Sequence, residues 1–382
     1  MITPYTFEIF SSAQNLPDTW DAVALGNIFL SRKYIAVLEQ SCPNNMQCRF
    51  IGLFENNQLI GVAIAEFLDL NLLESFGERD QCLKTTVRNF VFRHFASHVL
   101  FIGNNMLTGQ HAFKLASQAD SKRATKTLYL AAEALKIEFA QLGKKVHIVT
   151  YKDFDAEQIE LFDSETFNVF YKFSTQPNMI FDVRKNWKTE EDYVAALNKK
   201  YRDQYKRARK KQNGIDKRRM SLDEVKANEK KIYELYFHVA KNAPFNTFFL
   251  AEKHFSTFKE IFGDDFLFYG YYLDEKLIGF NTMIVNGDSL DTYFLGYDDT
   301  VQREKMLYLN MLYDMIACAI HKNYREVVFS RTALEIKSSV GAVPIQTYGF
   351  IEHKNALINR CMSTLFGYLE PEVEWNPRNP FQ

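Results

Sequence analysis

The sequence predicts an α/β protein of two tandem units, each a mixed, mostly antiparallel sheet flanked by helices. Two observations point there. First, a hairpin recurs. Ile51-Gly52-Leu53-Phe54-Glu55-Asn56-Asn57-Gln58-Leu59-Ile60-Gly61 lies against Tyr269-Gly270-Tyr271-Tyr272-Leu273-Asp274-Glu275-Lys276-Leu277-Ile278-Gly279, glycine on glycine. Second, the order hairpin, strand, helix, strand follows in both halves, with Leu128-Tyr129-Leu130 and Leu307-Tyr308-Leu309 each opening the helix. A shared order of this kind marks an internal duplication. Length agrees, since 382 residues exceed the ~250–300 that one core usually holds. A hydrophobic content of 47%, with 34 Phe and 20 Tyr, supplies two cores. The expected division is residues 1–184 and 185–382.

In chain order, Leu30 to Gln40 reads as a helix with Tyr34, Val37 and Leu38 on one face. Phe50 to Phe54 and Leu59 to Phe67 form the first hairpin around Glu55 to Gln58. Val99 to Ile102 is a strand ending in Gly103-Asn104-Asn105. Thr125 to Leu142 has helical spacing in Leu128, Ala131, Leu135, Phe139 and Leu142. Lys145 to Thr150 reads as a buried strand, followed by Lys152-Asp153-Phe154 as a solvated turn. Phe167 to Phe173 and Met179 to Val183 close this half as two strands. The second half repeats the plan. Phe266 to Tyr272 and Leu277 to Val285 form a hairpin, Leu290 to Gly296 a strand, Glu304 to Ile320 one long helix, and Glu326 to Phe329 a strand. Val343 to Ile351 and Ala356 to Leu369 supply further strand material.

Composition excludes several classes. A formal net charge of −1 is not that of a nucleic-acid polycation, so no DNA partner is expected and any basic surface is local. Met1 to Thr19 has neither a basic n-region nor an apolar h-region, and no run approaches the ~18 apolar residues of a spanning helix. The expectation is a cytoplasmic protein, with peripheral membrane contact left open. The five cysteines are scattered and read as reduced thiols. No H-E-x-x-H, G-x-S-x-G or Walker A pattern occurs, so no metal site is expected.

Two stretches carry candidate chemistry. Between the halves, Thr189 opens a helix running to Gly214, with Glu190, Glu191 and Asp192 in its first turn and Tyr193, Leu197, Tyr201, Tyr205 and Ala208 on its apolar face. Its end carries Lys199, Lys200, Arg202, Lys206, Arg207, Arg209, Lys210 and Lys211 against Asp203. This is either a solvated basic face or an anion clamp for phosphates or RNA, with Arg202 and Arg207 as contacts. Near the end of the chain, Phe329 to Pro344 leaves a strand and opens a helix. Thr332 and Glu335 stand at capping-box spacing, and Arg331, Glu335 and Lys337 gather at the junction. Ligands of open α/β sheets bind just beyond strand ends.

A duplicated hairpin–strand–helix–strand unit resembles the GNAT acyltransferase fold, and two in tandem resemble the FemAB-type peptidyl and aminoacyl transferases. Asn198 to Lys210 resembles that family's K-x-R-x-x-x-R-x-A-R-K segment. Thr332 to Lys337 resembles the segment after the fifth strand, where the family places a functional Lys. The likeness spans roughly residues 30–370. It implies an N-acyltransferase working in the second unit on an amine acceptor, a small molecule or lipid precursor of cell-envelope metabolism. Lys337 and Arg331 would stabilise an anion or oxyanion, Glu335 would be a base, and Tyr297 or Tyr308 a proton donor. Asp291, Tyr293 and Thr332 would contact substrate, and Lys152 and Asp153 would line a groove. Gln302, Arg303 and Lys305 lie in the segment that would meet the donor, acyl-CoA or acyl-carrier protein. That segment, Asp298 to Met306, has no glycine for a pyrophosphate turn, so a tRNA-dependent aminoacyl transferase is the alternative. A non-catalytic recognition module on the same fold is the third reading.

Overall fold

Residues 4–73, 96–243, 246–364 and 375–381 are described by a computed structural model. They fall into two compact units. The first comprises residues 1–175, 247–251 and 346–372, and the second residues 176–246, 252–345 and 373–382.

In the first unit β1 (Thr6–Phe10), α1 (Trp20–Ala24) and α2 (Arg32–Ser41) precede the hairpin. Ser31 starts α2 by accepting the Tyr34 N–H on its Oγ at 3.3 Å. β2 (Met46–Glu55) and β3 (Gln58–Asp69) turn on Asn56 and Asn57, at φ 51° and 62°. Asn tolerates this left-handed region, which matches the twist of the strands it joins. β4 (His98–Ile102), β5 (Phe113–Leu115), α3 (Ser121–Gln141), β6 (Ile148–Phe154) and β7 (Tyr171–Asp182) follow. α3 buries Leu128, Ala131, Leu135 and Phe139 against Leu53, Leu100, Ile102 and Val149. Two expectations change. Lys152 to Phe154 belong to β6 and are not a turn after it. β7 is one strand in place of two, while Phe167–Val169 is a short 3-10 turn.

The second unit opens on two helices where one was expected, α4 (Glu190–Ala196) and α5 (Lys199–Lys211). Leu197 is extended, with ψ 142°, and Asn198 recaps the chain by accepting the Tyr201 N–H at 3.4 Å. β8 (Ile215–Arg219), α6 (Leu222–Ala227), α7 (Glu229–Lys241) and α8 (His254–Phe262) occupy a stretch to which the sequence reading gave no elements. β9 (Phe266–Leu273) and β10 (Lys276–Asn286) repeat the hairpin, again on two left-handed residues, Asp274 and Glu275. The first repeated glycine of each hairpin has a shared reason. A Cβ on Gly52 would meet the Phe54 ring at 2.9 Å, and one on Gly270 the Tyr272 ring at 2.9 Å.

β11 (Ser289–Tyr297) leads into α9 (Asp299–Lys305) and α10 (Leu307–His321), again two helices where one was expected. Met306, at φ 49°, breaks the run. Asn310, wholly buried, bridges the break, donating Nδ2 to the carbonyls of Met306 and Lys305, both at 3.2 Å, and of Ala208 at 2.9 Å. One turn on, Asp314 accepts from Arg209 at 2.8 Å and from Tyr271 Oη at 2.8 Å, and Tyr271 accepts from Asn281 at 2.8 Å. Arg209 also pairs with Glu190. Removing one member of such a pair strands the other in low dielectric.

β12 (Glu326–Ser330), α11 (Leu334–Ser339), β13 (Val343–His353) and α12 (Ala356–Arg360) complete the chain. The second unit's strand order is β7-β12-β11-β10-β9-β8. β13 returns to the first unit, pairing with β6 from Tyr348↔Phe154 to His353↔Ile148, which gives the order β1-β2-β3-β4-β6-β13. Residues 356–360, expected as strand, are helical, and residues 365–369 lie outside the described residues.

Candidate active site

Each unit contains one parallel strand pair whose second strand ends near a left-handed residue. In the first unit β4 and β6 pair from Val99↔Ile148 to Ile102↔Tyr151, and Asp153 has φ 72°. In the second, β11 and β12 pair only from Ser289↔Glu326 to Asp291↔Val328, and Ser330 has φ 61°. β11 stays paired with β10 out to Tyr297. Beyond Asp291 the parallel strands part, and the Val328 carbonyl accepts from Thr292 Oγ1 at 3.0 Å.

In the first unit this place is filled. Lys152 is buried and donates Nζ to the carbonyls of Asn104 (3.1 Å) and Leu107 (3.3 Å), and to the Asp153 carboxylate. Glu66, wholly buried on β3, accepts the Asn105 N–H at 2.7 Å, and burial pushes its carboxyl up to about 8. Burial, aided by the charge of Lys152, lowers His111 to about 3, so its ring is neutral beside Asn27 Oδ1 at 3.2 Å. Lys152 and Asp153 therefore come together, but as a buried pair pinning residues 104–107. The expected solvated turn is not formed: β6 continues through both residues with a bulge between the pairs Phe350↔Tyr151 and Tyr348↔Phe154, Asp153 is left-handed there, and both side chains are buried.

In the second unit β12 runs into three left-handed residues, Ser330, Thr332 (φ 67°) and Ala333 (φ 47°). None is glycine and Thr332 is β-branched, so each position costs on the order of 1–3 kcal/mol. Lys337 pins the turn. It is 5% exposed and donates Nζ to the carbonyls of Arg331 at 2.5 Å and Ser330 at 3.2 Å. Burial lowers its ammonium to about 7. The Thr332–Glu335 capping box does not form, because the left-handed backbone at Ala333 starts α11 without a side-chain cap. Glu335 instead faces outward, accepting the Asn376 N–H at 3.1 Å and pairing with Arg378 at 3.0 Å, contacts that lower its carboxyl.

The remaining candidates separate into two groups. Tyr297 and Tyr308 meet, ring centroids 6.2 Å apart, and burial raises both phenols. Both border the core that includes Leu290 and α10. Asp291 and Tyr293 do not join them. A bulge sets Tyr293 and Phe294 opposite Thr282 alone, between the pairs Asn281↔Leu295 and Met283↔Thr292. Tyr293 Oη lies 2.9 Å from His254 Nε2 on α8. Asp291 is buried, and burial raises it to about 7. Sequence alternation could not show the bulge.

The basic candidates also divide. Arg202 closes α4 by donating to the carbonyls of Leu197 (2.6 Å) and Ala195 (3.2 Å). Arg209 belongs to the buried network. Lys199, Lys200, Lys206, Arg207, Lys210 and Lys211 are exposed. Of the donor-segment residues, Arg303 is exposed, Gln302 half-buried, and Lys305 donates to the Asn213 carbonyl at 3.1 Å. The second amide of α9 is taken, since Asp298 Oδ1 accepts the Thr300 N–H at 2.9 Å. Among the described residues no group of three His, Cys, Asp or Glu side chains is arranged to hold a metal ion, and no helix is long and apolar enough to cross a membrane.

Two units of this construction in one chain make the tandem GNAT fold, as the resemblance implied. The structure matches the crystal structure of FemX over 94% of this chain and 99% of that one, with a TM-score of 0.54 at 11% identity. It matches a tandem GNAT protein from the clavulanic acid biosynthesis pathway over 92% and 99%, with a TM-score of 0.51 at 9% identity. At such identities the likeness is one of fold. No protein family and no curated protein matches the sequence.

Proposed function

We propose that the protein transfers an acyl group from an activated donor to an amine, with the reacting atoms in the second unit where β11 and β12 part. One observation carries the reading. Where the strands part, β12 ends at a left-handed, non-glycine turn pinned by the buried Lys337. Backbone of this kind persists where function requires it. The amine nitrogen adds to the acyl carbonyl, a C–N bond forms, the thioester or ester bond breaks, and the amine proton leaves. Lys337 and Arg331 stabilise the oxyanion. Tyr308 or Tyr297, held as a neutral phenol, protonates the leaving group. A water chain takes the amine proton, since Glu335 is engaged with Arg378.

The donor is acyl-CoA or acyl-carrier protein. Asp298, whose Oδ1 takes up the Thr300 N–H at the start of α9, favours a donor whose phosphates lie elsewhere. The same cap and the six exposed cations of α5 support the second reading, transfer from aminoacyl-tRNA. The test is amide formation from acetyl-CoA, long-chain acyl-CoA, loaded carrier protein and charged tRNA, each against a pool of amines. Lys337→Ala is expected to abolish turnover with the fold intact by circular dichroism. Retained turnover would remove Lys337 from the site. Donor binding without turnover by the unaltered protein would favour a recognition module.

A further inference from the structure

Cys42 and Cys48 meet in the first unit, although six positions apart in a sequence that gave them no motif spacing. Their Sγ atoms are 3.8 Å apart, and Cys42 Sγ donates to the Met46 carbonyl at 3.5 Å. Both thiols are half-buried on the wall of a cleft of about 610 Å³, which Glu39, Arg49 and Lys144 also line. A disulfide needs ~2.05 Å between sulfurs, so closing the bridge draws the two sulfurs together by about 1.8 Å and pulls on the loop between them.

The loop between the two cysteines is tied to the buried polar cluster. Asn45, 6% exposed, donates Nδ2 to the carbonyls of Thr247 (2.9 Å) and Asp69 (3.2 Å). Thr247 Oγ1 accepts from Asn105 Nδ2 at 2.6 Å, and the Asn105 N–H is the donor to Glu66. Cys48 also stands directly across the sheet from Glu66, in the pair Cys48↔Glu66. Opposed residues of an antiparallel pair share a face.

We propose that Cys42 and Cys48 form a reversible disulfide that acts on the Asn105–Glu66 contact. The oxidant is a small disulfide such as oxidised glutathione, one of whose carboxylates suits Lys144 at the cleft, Arg49 being paired with Glu138. One cysteine, as thiolate, attacks the small disulfide and expels the first small thiolate. The second cysteine, losing its proton, attacks the protein sulfur of the mixed disulfide and expels the other. The two protein thiols give up two electrons and two protons, and two small thiols form. Closing the bridge moves the segment holding Asn45 and so the hydrogen bonds that run to Asn105.

The test is incubation of the full chain with oxidised and reduced glutathione in varying ratio, then alkylation and peptide mass analysis. The expected product is a Cys42–Cys48 bridge, a loss of about 2 Da per molecule, reversed by excess reduced glutathione. Cys42→Ser and Cys48→Ser should each abolish it, and Cys318→Ser should leave it unchanged. Stable glutathione adducts on either thiol, or bridging to a different cysteine, would overturn the proposal. Hydrogen exchange of the peptide containing Asn105 should quicken in the bridged form. Unchanged exchange in fully bridged protein would overturn the link to Glu66.

Discussion

Glu66 and Lys337 are buried ionisable side chains, one in each unit, and their linkages to stability have opposite sign. Glu66 titrates near 8 when folded against an ordinary 4.5, so the folded state holds its proton longer. Stability from this group therefore falls as pH rises from about 4.5 to 8. Glu66→Gln is expected to remove that fall, a difference on the order of a few kcal/mol between pH 5 and 8.5 in urea unfolding. Equal pH dependence in both proteins would refute it. Lys337 titrates near 7 against an ordinary 10.5, so its penalty is full below pH 7 and relieved as pH rises toward 10.5. If its proton matters to transfer, the rate profile has a limb near pH 7 that Lys337→Arg abolishes. The position of Lys337 just after the strand from Glu326 was legible in the sequence. The burial of Glu66 and Lys152 was not, because a charged residue in a strand pattern reads as solvent-facing until its partners from residues 104–107 are known.

Broken helices decide how the basic segment works. The apolar spacing of residues 190–211 and 304–320 continues through both breaks, so periodicity alone reads one helix in each. The clues were Asn198 and Asn310, polar residues inside helical runs, and they act as a cap and a carbonyl bridge. Asn310→Ala should destabilise by about 1–3 kcal/mol by removing the Nδ2 hydrogen bonds to the carbonyls of Lys305, Met306 and Ala208. Asp314→Ala should cost about 3–5 kcal/mol by leaving Arg209 with half its anionic partners. Chemical denaturation measures both, and a change within 0.5 kcal/mol, the usual range for surface sites, would show the network to be solvated. The hairpins were the most legible elements, since their glycines and turns repeat. The bulge at Tyr293 was the least, because it leaves no mark in residue type yet divides the tyrosines between two faces.

For the molecule as a whole, Lys206, Arg207 and Lys210 are exposed cations of α5 that form no ion pair among the described residues. Replacing Lys206, Arg207 and Lys210 together with Gln should weaken any tRNA binding and flatten its salt dependence by about two units of slope, with stability unchanged. A fragment of residues 1–184 is expected to fail, since it lacks β13. Phe350 packs on Phe162 and Phe167, each at 5.2 Å between ring centroids, and β6 would be left an open edge. A cooperative melt of that fragment would contradict this. The same strand sets a schedule for the living chain. About 200 residues separate Phe154 from His353, which a ribosome takes roughly 10–40 s to add. Throughout that interval the nascent first unit presents an unpaired edge beside exposed phenylalanine, the surface that chaperones bind and neighbouring nascent chains stick to. Yield in a cell should therefore follow growth temperature and chaperone supply more closely than the stability of the finished protein.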